Sequence, residues 1–140
     1  METEIGERCN TIEECYEFML AYAAKGLPSD KGSTPGTQIR EFLQRAVNAI
    51  NGLVEDCTIA VKEAGLEPAE KYHAFLTVLD RDASDSLAAI ELVLAQPSIS
   101  SQLVDNLNAS IHLRALLTDL FLVGDIMRSH LASPPIHRTS

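Results

Sequence analysis

The sequence predicts an all-α protein, folded as a mostly antiparallel four-helix bundle. Apolar residues recur at steps of three and four along four long stretches, and no stretch combines alternating polarity with turn signals. Hydrophobic residues make up 46% of the chain but aromatic residues only 5%, so aliphatic side chains must build the core. A chain of 140 residues is the usual size of one domain. We expect residues 1–132 to form it and residues 133–140, which contain paired prolines, to be a flexible C-terminal tail.

The first helix is predicted to begin at a capping box. Thr11-Ile12-Glu13-Glu14 has the Ser/Thr-x-x-Glu form in which the hydroxyl and the carboxylate satisfy free amides at a helix start. Gly26 is a natural residue at which that helix ends. The segment 27–36, which reads LPSDKGSTPG, is predicted to be a loop because it is rich in Pro, Gly, Ser and Asp.

The two middle helices follow from the clearest apolar stripes. The stripe from Ile39 to Ala64 predicts one helix of about seven turns, with Gly52 inside it. Gly65 ends this helix and Pro68 begins the next, which continues to Leu94. The polar stretch 80–86 is a candidate kink in that third helix.

The fourth helix is predicted to start at Ser98 or Ser100 and to run to about Leu131. Its segment 111–127 is apolar on nearly every side. A helix with one face in solvent would instead carry polar residues on that face. The last helix is therefore expected to be central in the bundle or at the interface of a homodimer. The candidate interface residues are Leu113, Leu116, Leu117, Leu120, Phe121 and Val123.

Charge and cysteine content restrict the partners and the compartment. The formal net charge is −9 and no Lys/Arg cluster occurs, so a nucleic-acid partner is excluded and a basic protein partner is favoured. The segment 111–127 holds too many ionisable residues for a membrane span, so no membrane association is expected. Three cysteines at irregular spacing and an acidic N-terminus without a secretory signal predict a cytoplasmic protein with free thiols.

One polar ridge stands out on the predicted fourth helix. Asp105, His112 and Asp119 are seven residues apart, a spacing that keeps them on one side of a helix. Three interpretations stay open: the ridge is the least buried edge of the helix, it pairs with bases on a neighbouring helix or subunit, or His112 carries a phosphoryl group or a proton. The bases available for pairing are Arg40, Arg45 and Arg81.

The segment His112–Thr118 resembles the histidine-containing helix of histidine phosphotransfer domains and of histidine kinase dimerisation domains, which are also four-helix bundles. The resemblance implies a phosphotransfer-like signalling module centred on His112. The sequence departs from those families where kinase domains place an acid directly after the histidine, because Leu113 stands there. The Lys-Gly pair of phosphotransfer domains is also replaced, by Ala115–Leu116.

Metal binding has one weak pair of candidates, Glu70 and His73. Di-iron bundles use a Glu-x-x-His pair on each of two helices, and the sequence contains only this one. No catalytic residue and no cofactor motif is found, since glycine-rich phosphate loops, nucleophile elbows and haem-binding motifs are all missing. A metal-binding or small-ligand-binding bundle therefore remains as an alternative.

Together these observations favour a non-enzymatic, acidic helical-bundle interaction protein. Such a protein acts as an adaptor, a regulator or a partner-specific chaperone, and it works by presenting a helix face or a groove to another protein. The acidic charge, the surplus of apolar surface on the last helix and the lack of a catalytic motif lead to this prediction.

Overall fold

The computed structural model describes the backbone of residues 2–132 and the side chains of residues 4–130. Over this range the chain forms six helices and no strand, so the all-α prediction is confirmed. The predicted tail, residues 133–140, lies outside the described residues. The helices are α1 (Glu2–Ala23), α2 (Thr34–Ile50), α3 (Leu53–Ala64), α4 (Ala69–Leu94), α5 (Ser101–Ala109) and α6 (His112–Ala132).

Helix α1 starts earlier than the capping-box motif predicts. Thr11 lies inside the helix, where its hydroxyl donates a hydrogen bond of 3.0 Å to the carbonyl oxygen of Glu7, one turn back. The prediction of a start at Thr11 was wrong because the apolar face continues in the N-terminal direction. Ile5 and Cys9 pack against the same core as Ile12.

Helix α2 begins within the segment that the sequence predicts to be a loop. The hydroxyl of Ser33 accepts the amide hydrogen of Gly36 at 3.0 Å, which is the bond of an N-cap, and Pro35 lies in the first turn. The connection between α1 and α2, residues 24–33, therefore has the predicted length of ten residues but lies three residues earlier in the chain.

The predicted second helix is broken at Asn51 and Gly52. Gly52 has φ +88°, a left-handed conformation that ends α2 and begins α3. Arg8 of α1 stabilises the break, since its guanidinium donates to the carbonyl oxygens of Ala49 at 2.9 Å and Asn51 at 2.6 Å. It also pairs with Asp56 in the first turn of α3 at 2.9 Å. A cation at the carboxyl end of one helix thus binds an acid at the amino end of the next.

The predicted fourth helix is also two helices. Ser100 is its N-cap as expected, accepting the amide hydrogen of Leu103 at 3.0 Å. The helix stops after Ala109 because Ile111 has φ +62°, a conformation that is rare for a β-branched residue. α5 and α6 are therefore two separate helices, and the side chains of one do not continue a helix face of the other.

Helix α4 agrees with the sequence prediction over its whole length. It runs from Ala69 to Leu94 without a break, so the polar stretch 80–86 does not interrupt it. Gly65, with φ +60°, ends the preceding helix as predicted. Nothing in the described part of the chain is both long and apolar enough to cross a membrane.

Helices α1 and α4 lie on opposite sides of the core. Each contacts α2, α3, α5 and α6, and within the described residues the two make no contact with each other. Helix α6 contacts α1, α4 and α5, so it forms one side of the molecule rather than its centre. The largest fully buried side chains include Ile12, Met19, Tyr22, Ile39, Leu43, Leu53, Leu79, Ile90, Ile99 and Leu116.

One end of the molecule is held together by Asp30 and Arg40. The Asp30 side chain is buried, and its two carboxylate oxygens accept hydrogen bonds from Arg40 Nε at 2.7 Å and from the Ile99 amide at 2.6 Å. The Arg40 guanidinium also donates to the carbonyl oxygens of Leu94 at 3.1 Å and Gln96 at 2.8 Å. This arrangement joins the α1–α2 loop to the carboxyl end of α4.

Candidate interaction surface

The interface residues predicted on α6 mostly belong to the core of the chain itself. Helix α6 packs against three other helices, which cover a wide arc of its surface. The prediction that these residues face a partner was therefore wrong for five of the six, and only Phe121 is exposed, at 51%. The five buried residues are Leu113, Leu116, Leu117, Leu120 and Val123.

Exposed apolar side chains occur at other positions, and most of them lie on α4, on α6 or directly before α6. Seven large hydrophobic residues are exposed among the described side chains, and Leu20 and Phe121 are two of them. The other five are Val78, Leu92, Ile111, Leu122 and Ile126.

The register of α4 against α6 brings Val78, Leu122 and Ile126 together, whereas Leu92 lies ten residues beyond Asp82 and about a quarter of a turn around α4. Tyr72 Oη lies 3.4 Å from His130 Nε2, and the Asp82 carboxylate lies beside that of Asp119, so the two helices run antiparallel. The same register brings Val78 level with Leu122 and Ile126, and it brings Leu92 level with Ile111. Residues one turn apart share a side of a helix, which puts Val78 beside Asp82 and Leu122 beside Asp119. We call the five residues Val78, Asp82, Asp119, Leu122 and Ile126 the α4–α6 face.

The acid pair Asp82–Asp119 lies at one end of this face. The Asp119 Oδ2 atom is enclosed, and within the described residues no N–H group donates a hydrogen bond to it. Burial, together with the adjacent Asp82 carboxylate, raises the pKa of Asp119 to about 7. The pair thus holds a proton at a pH at which an ordinary aspartate is ionised.

None of the bases expected to pair with the ridge is found beside Asp119. Arg40 binds Asp30, and the Arg45 guanidinium lies 4.3 Å from the centre of the Phe42 ring. Arg81 is exposed on α4. The neighbour of Asp119 is instead another acid.

The predicted ridge itself is divided between two helices. Asp105 is exposed on α5, whereas His112 is the half-buried first residue of α6 and Asp119 lies two turns further along α6. The break at Ile111 separates Asp105 from the other two residues, so the spacing of seven describes a common helix face only for His112 and Asp119.

The acid pair has a testable effect on stability. The pKa of Asp119 is higher in the folded chain than its ordinary value of 3.8. The contribution of Asp119 to the free energy of unfolding is therefore fully present below pH 3.8 and is lost as the pH rises through about 7. We expect Asp119→Asn to raise the free energy of unfolding at pH 8 by on the order of 1 kcal/mol, because a neutral amide replaces a poorly solvated charge. Urea unfolding at pH 5 and pH 8 measures the effect, and equal changes at both values would contradict it.

The weak metal candidates, Glu70 and His73, are both exposed in the first turns of α4. Over the described side chains no group of three or more His, Cys, Asp or Glu residues could hold a metal ion. Glu70 and His73 thus have no third ligand beside them within that range.

The cysteines are free thiols without the environment of a reactive cysteine. Burial raises the pKa of Cys15 and of Cys57 to about 12. Burial, together with the nearby charge of Glu13, also raises the pKa of the half-buried Cys9. All three are therefore uncharged at neutral pH, which argues against nucleophilic thiol chemistry.

No protein-family model matches the chain, and neither a curated protein nor a solved structure matches it. What the protein does must therefore be inferred from the chemistry of its surface.

Sequence reasoning identified Asp119 but missed the residues around it. Asp82 had a weak signal, since it interrupts the apolar stripe of α4 between Leu79 and Ala83. Val78 and Leu122 had no signal in the sequence, because an exposed apolar residue cannot be distinguished from a buried one there. Their common surface depends on the register between two helices.

Proposed function

We propose that the protein is a non-enzymatic, acidic helical interaction protein that binds a basic partner through the α4–α6 face. It would act as an adaptor, a regulator or a partner-specific chaperone. One observation supports this proposal most strongly: three exposed large hydrophobic residues, Val78, Leu122 and Ile126, lie within one or two turns of the acid pair Asp82–Asp119. Grouped exposed apolar residues with polar residues at their rim are typical of protein contact sites.

The chemistry of the face describes its partner. A lysine or arginine placed beside the apolar residues of the face would pair with Asp82 and Asp119 and supply the base that this acid pair lacks. The pairing would favour the ionised form of Asp119, so binding would release a proton near neutral pH. An amphipathic helix with basic residues beside its apolar face carries both features.

The arrangement of helices supports a bundle as the scaffold for this face. We infer that α1 and α4 occupy two corners of a four-cornered bundle. The pairs α2–α3 and α5–α6 occupy the other two corners, and each pair takes the place of one long helix that is interrupted once. The contacts of α1 and α4 with both pairs support this reading. Residues 1–132 would then form one domain, as proposed from the sequence.

The predicted homodimer and cytoplasmic location remain proposals. A second copy is the other candidate occupant of the α4–α6 face, and solution mass by light scattering distinguishes it from a basic partner. The three free thiols support a reducing compartment.

A pair of model peptides tests the proposed partner. One is an 18-residue amphipathic helix of leucine and lysine, and the other replaces every lysine with glutamate. We expect the lysine peptide to bind more tightly at pH 8, and Leu122→Ser to weaken that binding about tenfold, the effect of losing roughly 1.4 kcal/mol of contact. Fluorescence anisotropy measures both affinities.

Matched variants separate this site from general charge attraction. Leu20 on α1 is exposed to 48% and Leu122 to 51%, so Leu20→Ser makes the same change at an equivalent position outside the face. His112→Ala tests the phosphotransfer alternative, which assigns the function to that imidazole. Equal weakening by Leu122→Ser and Leu20→Ser, or loss of binding in His112→Ala alone, would contradict the proposal.

A further inference from the structure

A groove of about 460 Å³ lies between α1, α3 and α6, away from the α4–α6 face. Its volume falls within the range of roughly 300–1,000 Å³ that is typical of small-molecule sites. The side chains on its walls are mostly apolar, and they include Ile5, Cys9, Cys57, Leu120, Val123 and Met127.

Two features keep the groove apolar and open. The thiols of Cys9 and Cys57 are uncharged at neutral pH, since burial raises both pKa values. Gly6 lines the groove without a side chain, and a Cβ atom at this position would meet nothing within 4 Å. The α1 wall of the groove therefore has room for an added side chain at Gly6.

The charged groups of the groove lie at different levels along it. The Arg128 guanidinium lies over Gly124, with Nη1 only 3.2 Å from where a Cβ of that glycine would be. Its ion pair with Asp125 is 3.3 Å long and largely exposed, so solvent screens it strongly. Glu13 also lines the groove, but it lies about two turns of α1 beyond Gly6. An anionic group would thus be attracted at the Arg128 end and repelled at the Glu13 end.

We propose that this groove binds a single-chain amphiphile with a carboxylate head group, such as a medium-length fatty acid. The alkyl chain lies along the apolar walls between α1 and α6, and the carboxylate pairs with Arg128. Charge complementarity decides the orientation, because Arg128 is at one end and Glu13 further along. This site is separate from the α4–α6 face and does not depend on the function proposed there.

Dodecanoate is the test ligand, used below its micelle concentration. We expect isothermal titration calorimetry to detect saturable binding, and we expect bound dodecanoate to slow alkylation of Cys9 by N-ethylmaleimide about tenfold. Cys9 is the half-buried thiol of the groove, whereas Cys15 and Cys57 are buried, so intact mass reports on Cys9. Dodecyltrimethylammonium, which has the same chain and the opposite charge, should bind more weakly.

Two variants test the geometry. Gly6→Leu places a side chain in the open part of the groove and should abolish the binding heat, whereas Ala21→Leu, at an exposed position of α1 outside the groove, should leave it unchanged. Arg128→Glu should reverse the preference between dodecanoate and dodecyltrimethylammonium. The proposal is wrong if dodecanoate gives no saturable heat, if Gly6→Leu binds it as the native chain does, or if Arg128→Glu leaves the preference unchanged.

Discussion

Gly36→Ala is expected to lower the free energy of unfolding by about 3 kcal/mol or more, well above the usual effect of a single added methyl group. A Cβ atom on Gly36 would lie 1.7 Å from the carbonyl oxygen of Asp30 and 2.4 Å from its carbonyl carbon. Asp30 cannot move away easily, because Arg40 and the Ile99 amide hold both of its carboxylate oxygens. Relief of the clash would therefore have to break these hydrogen bonds.

Gly6→Ala is the matched control for this prediction. Gly6 is also helical, but its added Cβ would meet nothing within 4 Å. Alanine in a helix interior is favoured over glycine by roughly 0.5–1 kcal/mol, so this variant should be slightly more stable than the native chain. Urea unfolding followed by circular dichroism compares the two, and a Gly36→Ala protein as stable as Gly6→Ala would contradict the close contact with Asp30.

Arg40→Met is expected to cost about 3 kcal/mol at pH 7, since it leaves the buried Asp30 carboxylate without a positive charge and with only the Ile99 amide as partner. The Asp30 carboxylate would lose its bond of 2.7 Å, and the carbonyl oxygens of Leu94 and Gln96 would lose their donors. Arg40 itself is about one-third exposed, so solvent replaces part of what is lost.

The same variant has a characteristic pH dependence. Burial by itself would raise the pKa of Asp30, but the hydrogen bonds from Arg40 and from the Ile99 amide outweigh burial and hold this pKa below its ordinary value of 3.8. The interaction therefore stabilises the native chain above that value and is lost as the pH falls. The deficit of Arg40→Met should be largest near neutral pH and should shrink in acid.

Arg128→Met provides the control, because its ion pair with Asp125 is exposed and should contribute less than about 0.5 kcal/mol. Thermal unfolding at pH 7 and pH 3.5 measures both variants. Asp30 and Arg40 do not stabilise this end of the molecule if Arg40→Met lowers the thermal stability no more than Arg128→Met does. The same conclusion follows if the loss of stability in Arg40→Met is larger at pH 3.5 than at pH 7.

The helix signals that sequence reasoning interpreted well are local ones. Gly65 ends a helix, Ser100 caps one, and the stripe up to Leu94 forms one continuous helix, because each depends on neighbouring residues. The two missed breaks have other causes. The one at Gly52 is stabilised by Arg8 from a different helix, and the left-handed conformation of Ile111 has no signal in a β-branched residue.

The candidate site was predictable only in part for the same reason. Segment 111–127 is apolar on nearly every side, so it must be buried by other residues. Sequence alone does not tell whether those residues belong to its own chain or to a partner. The spacing that selected Asp119 was informative, whereas its neighbour Asp82 is brought to it by packing of α4 on α6. The expected neighbour was a base, since like charges seldom pair without a shared proton.

The most direct test of the α4–α6 face is site-specific photo-crosslinking in native extract. A photoreactive amino acid replaces Leu122 in one protein and the equally exposed Leu20 in another, and the crosslinked products are identified by mass spectrometry. We expect position 122 to form an adduct with a basic protein and position 20 to form none. Adducts at position 20 alone, or none at position 122, would contradict this expectation.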